Sequence, residues 1–145
     1  MVEKIVINGI NHLTIAVTDL NRSFRFYYDI LGLTPLCRWH HGAYFLAGAT
    51  WLCLSYDPKR ALVNPCDYTH VAFDIDECDF DNWQQRLQQA GVSEFKSNTS
   101  EGASLYFCDP DGHKLEIHVG SWRSRLTAKL HDLGQWQDVE FFVIP

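Results

Sequence analysis

Polar and apolar residues alternate through 11–17, Asn-His-Leu-Thr-Ile-Ala-Val, and the stretch is rich in β-branched side chains, which predicts a strand. Apolar residues then recur at helical spacing at Phe24, Tyr27, Tyr28 and Leu31. Asp19 or Asn21 is suited to cap that helix, and Gly32 stands where a left-handed residue ends one. Strands are expected at about Thr34–Trp39, Ala43–Ala47 and Thr50–Tyr56, broken by His41-Gly42 and Gly48.

The pattern then lapses and restarts. Asp57–Asp67 holds two prolines, several charges and little periodicity, and reads as a linker. Beyond it, Tyr68–Asp74 reads as a strand, and Asp79–Ala90 as a helix with Phe80, Trp83 and Leu87 on one face and Gly91 at its end. Strands follow at about Glu94–Ser97, Ser104–Cys108 and Lys114–Val119. Asp109-Pro110-Asp111-Gly112, with proline second and glycine fourth, is a turn between the last two. His12 and His70 lie 58 residues apart, and Gly32 and Gly91 lie 59 apart, so the second series repeats the first. Three such strands cannot bury both faces alone. The expected fold is therefore α+β: a single domain over residues 1–145, in which two tandem βαβββ modules, about 8–56 and 68–120, form a curved mixed sheet around a metal site. Ser121–Leu133 reads as a terminal helix carrying Arg123, Arg125 and Lys129. The apolar tail Val139–Ile144 suits either an added strand or a dimer contact.

Composition narrows the function. Hydrophobic residues make up 46% and charged residues 21%, enough for a buried core. Lys and Arg number 12 against 18 Asp and Glu, a formal charge of −6, so the general field opposes nucleic acid and anionic membranes. No run approaches the ~20 apolar residues that span a bilayer, and an acid at the third position does not suit a signal peptide. A cytoplasmic protein is expected. Cys37, Cys53, Cys66, Cys78 and Cys108 are odd in number and include no Cys-x-x-Cys pair, so they read as small buried hydrophobes in a reducing compartment.

Chemistry is concentrated on a few strand positions. His12 and His70 occupy equivalent places in the two first strands, and equivalent strands of a two-fold repeat meet around its pseudo-axis. In the last strand Lys114, Glu116 and His118 face one way while Leu115, Ile117 and Val119 face the other. A wholly polar face there suggests a site lining. His12, His70 and Glu116 are the candidate ligands of one divalent ion, since two imidazoles and a carboxylate leave positions open for substrate. His118 shares the face of Glu116 as a candidate supporting residue. Thr14 follows His12 by two residues and lies on its face. His40, His41, His113 and His131 fall in turns or at an end and read as solvated surface.

These residues carry a family resemblance. The runs Asn11-His12-Leu13-Thr14, Gly42-Ala43-Tyr44, Trp51-Leu52-Cys53-Leu54-Ser55, Asp67-Tyr68-Thr69-His70, Ser100-Glu101-Gly102, the run from Asp109 to Glu116, and Gly120-Ser121 followed by Arg123-Ser124-Arg125-Leu126 resemble the glutathione-dependent fosfomycin resistance proteins of the vicinal-oxygen-chelate superfamily. The resemblance implies Mn2+ or another divalent metal on His12, His70 and Glu116, a homodimer, and a thiolate that opens the epoxide of fosfomycin. It implies phosphonate binding by Lys96, Ser100, Tyr106 and Arg125, with Tyr68, Tyr44 and Trp51 lining the substrate pocket. Thr14, Lys96, Tyr106 and Arg125 become the expected catalytic residues. Asn98, Ser100, Gly102 and Ser104 become an activating K+ loop, and Cys53 a packing residue near the site. Thr99 and His40-His41 depart from the family pattern beside the expected thiol pocket.

Other readings of the pattern are an epoxide hydrolase, a lyase or isomerase, an Fe(II) extradiol dioxygenase, or a binding protein of the same fold without turnover. Addition of water needs a placed general base, and Arg38–Tyr44 contains no Asp or Glu. Thiol addition, with glutathione as donor, is the expectation.

Overall fold

Each half of the chain folds one alternating set of apolar residues onto a helix. The structure is a computed structural model and describes residues 5–62 and 67–145. The chain divides into two compact units between Asp67 and Tyr68.

In the first unit, strand β1 (His12–Val17) leads into helix α1 (Leu20–Arg25), followed by strands β2 (Thr34–Trp39), β3 (Gly42–Ala47) and β4 (Thr50–Tyr56). The sheet order is β1-β4-β3-β2, with β1 parallel to β4 and the other pairs antiparallel. His12 pairs with Trp51, and Thr14 with Cys53, which in turn pairs with Tyr44. Paired residues share a face, so these five lie together. On the opposite face Ile15, Val17, Ala43, Phe45, Leu52 and Leu54 are buried, with Phe26 and Tyr27 of the helical segment. The Tyr27 and Phe45 rings are 6.4 Å apart. Burying side chains of this size stabilises by about 1.5–3 kcal/mol each before ordering costs.

The first helix differs from its expectation. Asp19 caps it by accepting from the Arg22 amide at 3.0 Å, but after Arg25 it widens into a π-helical turn over Phe26–Ile30. The Leu31 amide there donates to the Phe26 carbonyl at 3.1 Å. The extra residue in that turn buries Phe26 and Tyr27 consecutively and leaves Tyr28 49% exposed, so Tyr28 is not part of the core.

The second unit repeats the plan with β5 (His70–Asp74), α2 (Phe80–Ala90), β6 (Glu94–Lys96), β7 (Ser104–Cys108) and β8 (Lys114–His118) in the order β5-β8-β7-β6. Its core includes Leu87, Phe107, Leu115 and Ile117. The expected turn is present: buried Asp109 accepts from the amides of Asp111 and His113, each at 2.9 Å. That turn sets the register in which Tyr106 faces Glu116 and Ser104 faces His118. Helix α3 (Trp122–His131) begins with a reciprocal cap between Ser121 and Ser124. The tail forms no strand, and Phe142 and Ile144 are 88% and 96% exposed.

The units divide at the end of the expected linker, and one expectation, that of the cysteines, needs correction. The linker contains a 3-10 turn over Pro58–Leu62, within which the periodicity of a helix is too short to show. The cysteines are not uniformly buried: Cys53 is buried and Cys108 half-buried, but Cys37 and Cys78 are exposed. Cys37 sits on β2, whose residues are all exposed, and Cys78 in the short 3-10 turn before α2. Cys66 lies outside the described residues.

Candidate metal and anion site

Glu116 is a carboxylate only 6% exposed at the centre of β8, a placement that needs partners. Its Oε2 accepts from the Ser104 hydroxyl at 2.7 Å. Its Oε1 lies 3.1 Å from His70 Nε2. The other ring nitrogen, Nδ1, donates to the Tyr68 carbonyl at 2.9 Å, so the neutral ring keeps its lone pair on Nε2. A lone pair and a carboxylate oxygen then face one another, an arrangement that needs a proton or a cation between them. Two donors each about 2.1 Å from a divalent ion and at right angles around it stand about 3 Å apart. The pair therefore fits a metal.

His12 is set the same way by a different neighbour. Its Nδ1 donates to the Asn11 side-chain oxygen at 2.7 Å, which leaves the Nε2 lone pair for a ligand. Its ring packs on Trp51, centroids 4.6 Å apart. The Trp51 indole N–H is buried with no hydrogen-bond partner among the described residues, a donor suited to an incoming acceptor. Among the described residues no group of three or more His, Cys, Asp or Glu side chains is arranged to hold a metal ion. The structure joins His70 to Glu116, and His12 stands on the sheet of the first unit.

One cationic group, Lys96, lies near the His70–Glu116 pair, and a second, Arg125, lies beside His118. Lys96 Nζ donates to the Tyr68 hydroxyl at 2.5 Å and lies 4.5 Å and 4.8 Å from the Tyr68 and Tyr106 ring centroids. Its pKa is raised, first because the Tyr68 hydroxyl accepts from the charged form, with Tyr106 and Glu116 adding attraction. Arg125 donates to the Glu101 carbonyl at 3.2 Å, and its Nη2 lies 3.5 Å from His118 Nε2. Asn98 closes the 98–102 loop: its Nδ2 donates to the Gly102 carbonyl at 2.7 Å, and its Oδ1 accepts from the Ser100 amide and hydroxyl, each at 3.0 Å. Of the expected potassium loop, Ser104 alone is turned to Glu116 and His118.

On the first unit, Thr14 lies beside Cys53, and burial pushes the Cys53 thiol up although a hydrogen bond with Thr14 opposes this. A thiol held neutral in this way is a packing group and a poor nucleophile. Tyr44 meets Trp51 edge to face at 5.1 Å. His40 and His41 are exposed, but their rings lie 4.2 Å apart, tilted by 39°, and line a cleft of about 810 Å³ with Asp19, Asn21, Arg38 and Trp39. Sequence reasoning missed the cleft and the bonds that tie Ser104 to Glu116. The signal for the latter was the cross-strand pairing of Ser104 with His118.

Residues 9–117 match the family model for the Glyoxalase/Bleomycin resistance protein/Dioxygenase superfamily. The chain belongs to that superfamily. Within this superfamily it is 55% identical over 125 residues to the glutathione transferase FosA of Serratia marcescens, covering 85% of this chain and 89% of that protein. It is 39% identical over 127 residues to the metallothiol transferase FosB of Shouchella clausii, covering 83% and 86%. The fold matches a crystal structure of a mutant FosX, a fosfomycin resistance protein from Listeria monocytogenes, complexed with Mn(II) and 1S,2S-dihydroxypropylphosphonic acid. That match has a TM-score of 0.74 and 27% identity, over 83% of this chain and 99% of the other. The βαβββ repeat read from the histidine spacing is thus a superfamily fold, and the family inferred from the sequence runs is the one these relatives represent.

Proposed function

We propose that this superfamily member is a metal-dependent thiol transferase that adds glutathione to the epoxide of fosfomycin and so inactivates the antibiotic. One observation carries the reading: a paired imidazole and carboxylate, His70 Nε2 and Glu116 Oε1 at 3.1 Å, sit near the cationic Lys96 in a chain 55% identical to a glutathione transferase FosA. We take His12, His70 and Glu116 as the ligands of one divalent ion, Mn2+ first, because neutral imidazoles and a carboxylate suit it. When bound, such an ion supplies Lewis-acid stabilisation to a developing oxyanion. Lys96, Ser100, Tyr106 and Arg125 hold the phosphonate by charge-assisted and hydroxyl hydrogen bonds. Tyr44, Trp51 and Tyr68 enclose the substrate, and Thr14 stands beside the reacting atoms.

In the reaction the thiolate sulfur forms a bond to one epoxide carbon as the carbon–oxygen bond breaks. The electron pair stays on that oxygen, which ends as a hydroxyl, and the proton lost by the thiol balances the one gained. The loop of Asn98, Ser100, Gly102 and Ser104 is assigned K+ as an activator near the phosphonate. The functional unit is a homodimer in the cytoplasm, each site drawing on both chains. The formal charge of −6 favours neither nucleic acid nor an anionic membrane as a partner. Among the described residues no helix is long and apolar enough to cross a membrane.

The deciding experiment incubates the protein with Mn2+, K+, fosfomycin and a panel of thiols and weighs the product. A glutathione adduct is expected. A diol formed as fast without thiol as with it would sink the transferase reading in favour of hydrolysis.

A further inference from the structure

His118 has no part in the scheme above, yet it is tied to both ends of it. Its side chain is 15% exposed. Nδ1 lies 2.6 Å from the Ser104 hydroxyl, and Nε2 lies 3.5 Å from Arg125 Nη2. The proton directions can be worked out. Ser104 has one hydroxyl proton, and Glu116 can only accept it. Ser104 must then accept from His118, which places the ring proton on Nδ1. Nε2 is left with a lone pair, and the group it faces is a guanidinium, which only donates. One continuous series results, from Arg125 to His118 to Ser104 to Glu116, with one donor and one acceptor at every link, and His118 Nδ1 also lies 3.3 Å from Glu116 Oε2 itself.

The ring is also held in place. A Cβ on Gly102 would come within 2.2 Å of the Val119 carbonyl and 2.9 Å of His118 Cε1. One on Gly120 would come within 3.0 Å of His118 Nε2. A side chain at either position would therefore crowd the ring, and the two glycines leave it room in this orientation.

We propose that His118 is a positioning residue: it orients Glu116 through Ser104 and couples that carboxylate to Arg125, so that occupation of the anion site strengthens divalent-metal binding. Arg125, whose Nε also faces Glu101 Oε2 at 3.4 Å, stands at the donor end of the series and Glu116 at the acceptor end. The fixed Oε2 contact holds the carboxylate with Oε1 turned to His70. The coupling is reciprocal, as any linkage between two binding equilibria must be. The inference rests on the metal assignment of the proposed function but not on its thiol chemistry.

The test measures Mn2+ affinity of the full chain by electron paramagnetic resonance of free Mn2+, with and without methylphosphonate, alongside the melting temperature without metal. His118→Asn keeps a donor near the Nδ1 position, whereas His118→Gln offers its amide oxygen near the Nε2 position. We expect His118→Ala to weaken Mn2+ binding about tenfold or more. His118→Asn should recover most of that loss, and His118→Gln should not. Methylphosphonate should tighten Mn2+ binding in the natural protein and not in His118→Asn, which lacks the link to Arg125. A merely structural histidine would lower the melting temperature of all three variants without separating Asn from Gln. Equal Mn2+ affinity in those two folded variants, or an unchanged affinity in His118→Ala, overturns the inference. Failure of the natural protein to bind Mn2+ overturns it together with the metal assignment. Tight, anion-sensitive Mn2+ binding without any thiol adduct defeats the transferase reading alone and leaves His118 in its role.

Discussion

At the scale of single residues, the two strand histidines show how local chemistry prepares a ligand. His12 and His70 both hold their proton on Nδ1, one against the Asn11 side chain and the other against the Tyr68 carbonyl. Replacing His70 by Ala removes one imidazole and leaves Oε1 of buried Glu116 without its partner. Mn2+ uptake by equilibrium dialysis should fall at least tenfold and thiol transfer should largely vanish. Full Mn2+ affinity in that variant would remove His70 from the ligand set. Lys96 makes a second case. The Tyr68 hydroxyl favours its charged form and raises its pKa above 10.5. The contact therefore adds stability below the ordinary lysine value and loses it as pH rises through the raised one. Lys96 should remain cationic through the neutral and mildly alkaline range, so phosphonate affinity followed by calorimetry should show no loss from its deprotonation below pH 10.5. Lys96→Met should lower that affinity roughly tenfold throughout. A natural-protein profile falling near pH 8 to the Lys96→Met level would count against the role.

At the scale of elements, most of the chain was legible. Alternation and the turn breaks together located every strand to within two residues: alternation marks β1, which has one buried face, whereas β2, whose residues are all exposed, is bounded by the break at His41-Gly42. The turn at Asp109–Gly112 was legible because proline and glycine have fixed conformational uses. The π-helical turn at Phe26–Ile30 was not, since Phe24, Tyr27, Tyr28 and Leu31 satisfy an α-helix equally well and packing against Phe45 decides between them. Helix α3 tests local signals in isolation, for it buries no residue fully. It depends on its cap, in which Ser121 Oγ accepts from the Ser124 amide at 3.1 Å. Ser121→Ala should destabilise the helix by about 1 kcal/mol. Amide hydrogen exchange should show this as faster exchange confined to α3, and unchanged exchange there would mean that side-chain contacts hold the helix instead.

At the scale of the whole molecule, the sequence identified the candidate ligands but not their supports. Histidine spacing singled out His12 and His70, and the polar face of β8 singled out Glu116. Ser104 was placed at the start of a strand and in the potassium loop, but its bond to Glu116 depends on the cross-strand register that pairs it with His118, which follows only once the two strands are aligned across their turn. Assembly is the remaining question at this scale. If each site draws on two chains, inactive His12→Ala and Glu116→Ala proteins should partly restore activity on mixing, since some mixed dimers carry one intact site. The check is an activity assay after subunit exchange, with exchange followed independently by mass spectrometry. No recovery despite proven exchange would assign His12 and Glu116 to a site within one chain, as would full activity in a sedimenting monomer.

In both units the first strand pairs with the last, in parallel, and the first residue of that strand is a histidine of the proposed site. A hairpin can close as soon as its second strand has been made, but this pairing must wait for the last strand of its unit. β1 waits for β4, and β5 waits for β8, with every intervening element already made. Such distant pairings are the slow ones to form. A nascent chain stopped before Thr50 would hold β2 and β3 ready to pair while the strand bearing His12 had no neighbour. Each half therefore acquires its histidine position late in its own synthesis, and a truncation that removes β4 or β8 leaves that strand without its partner.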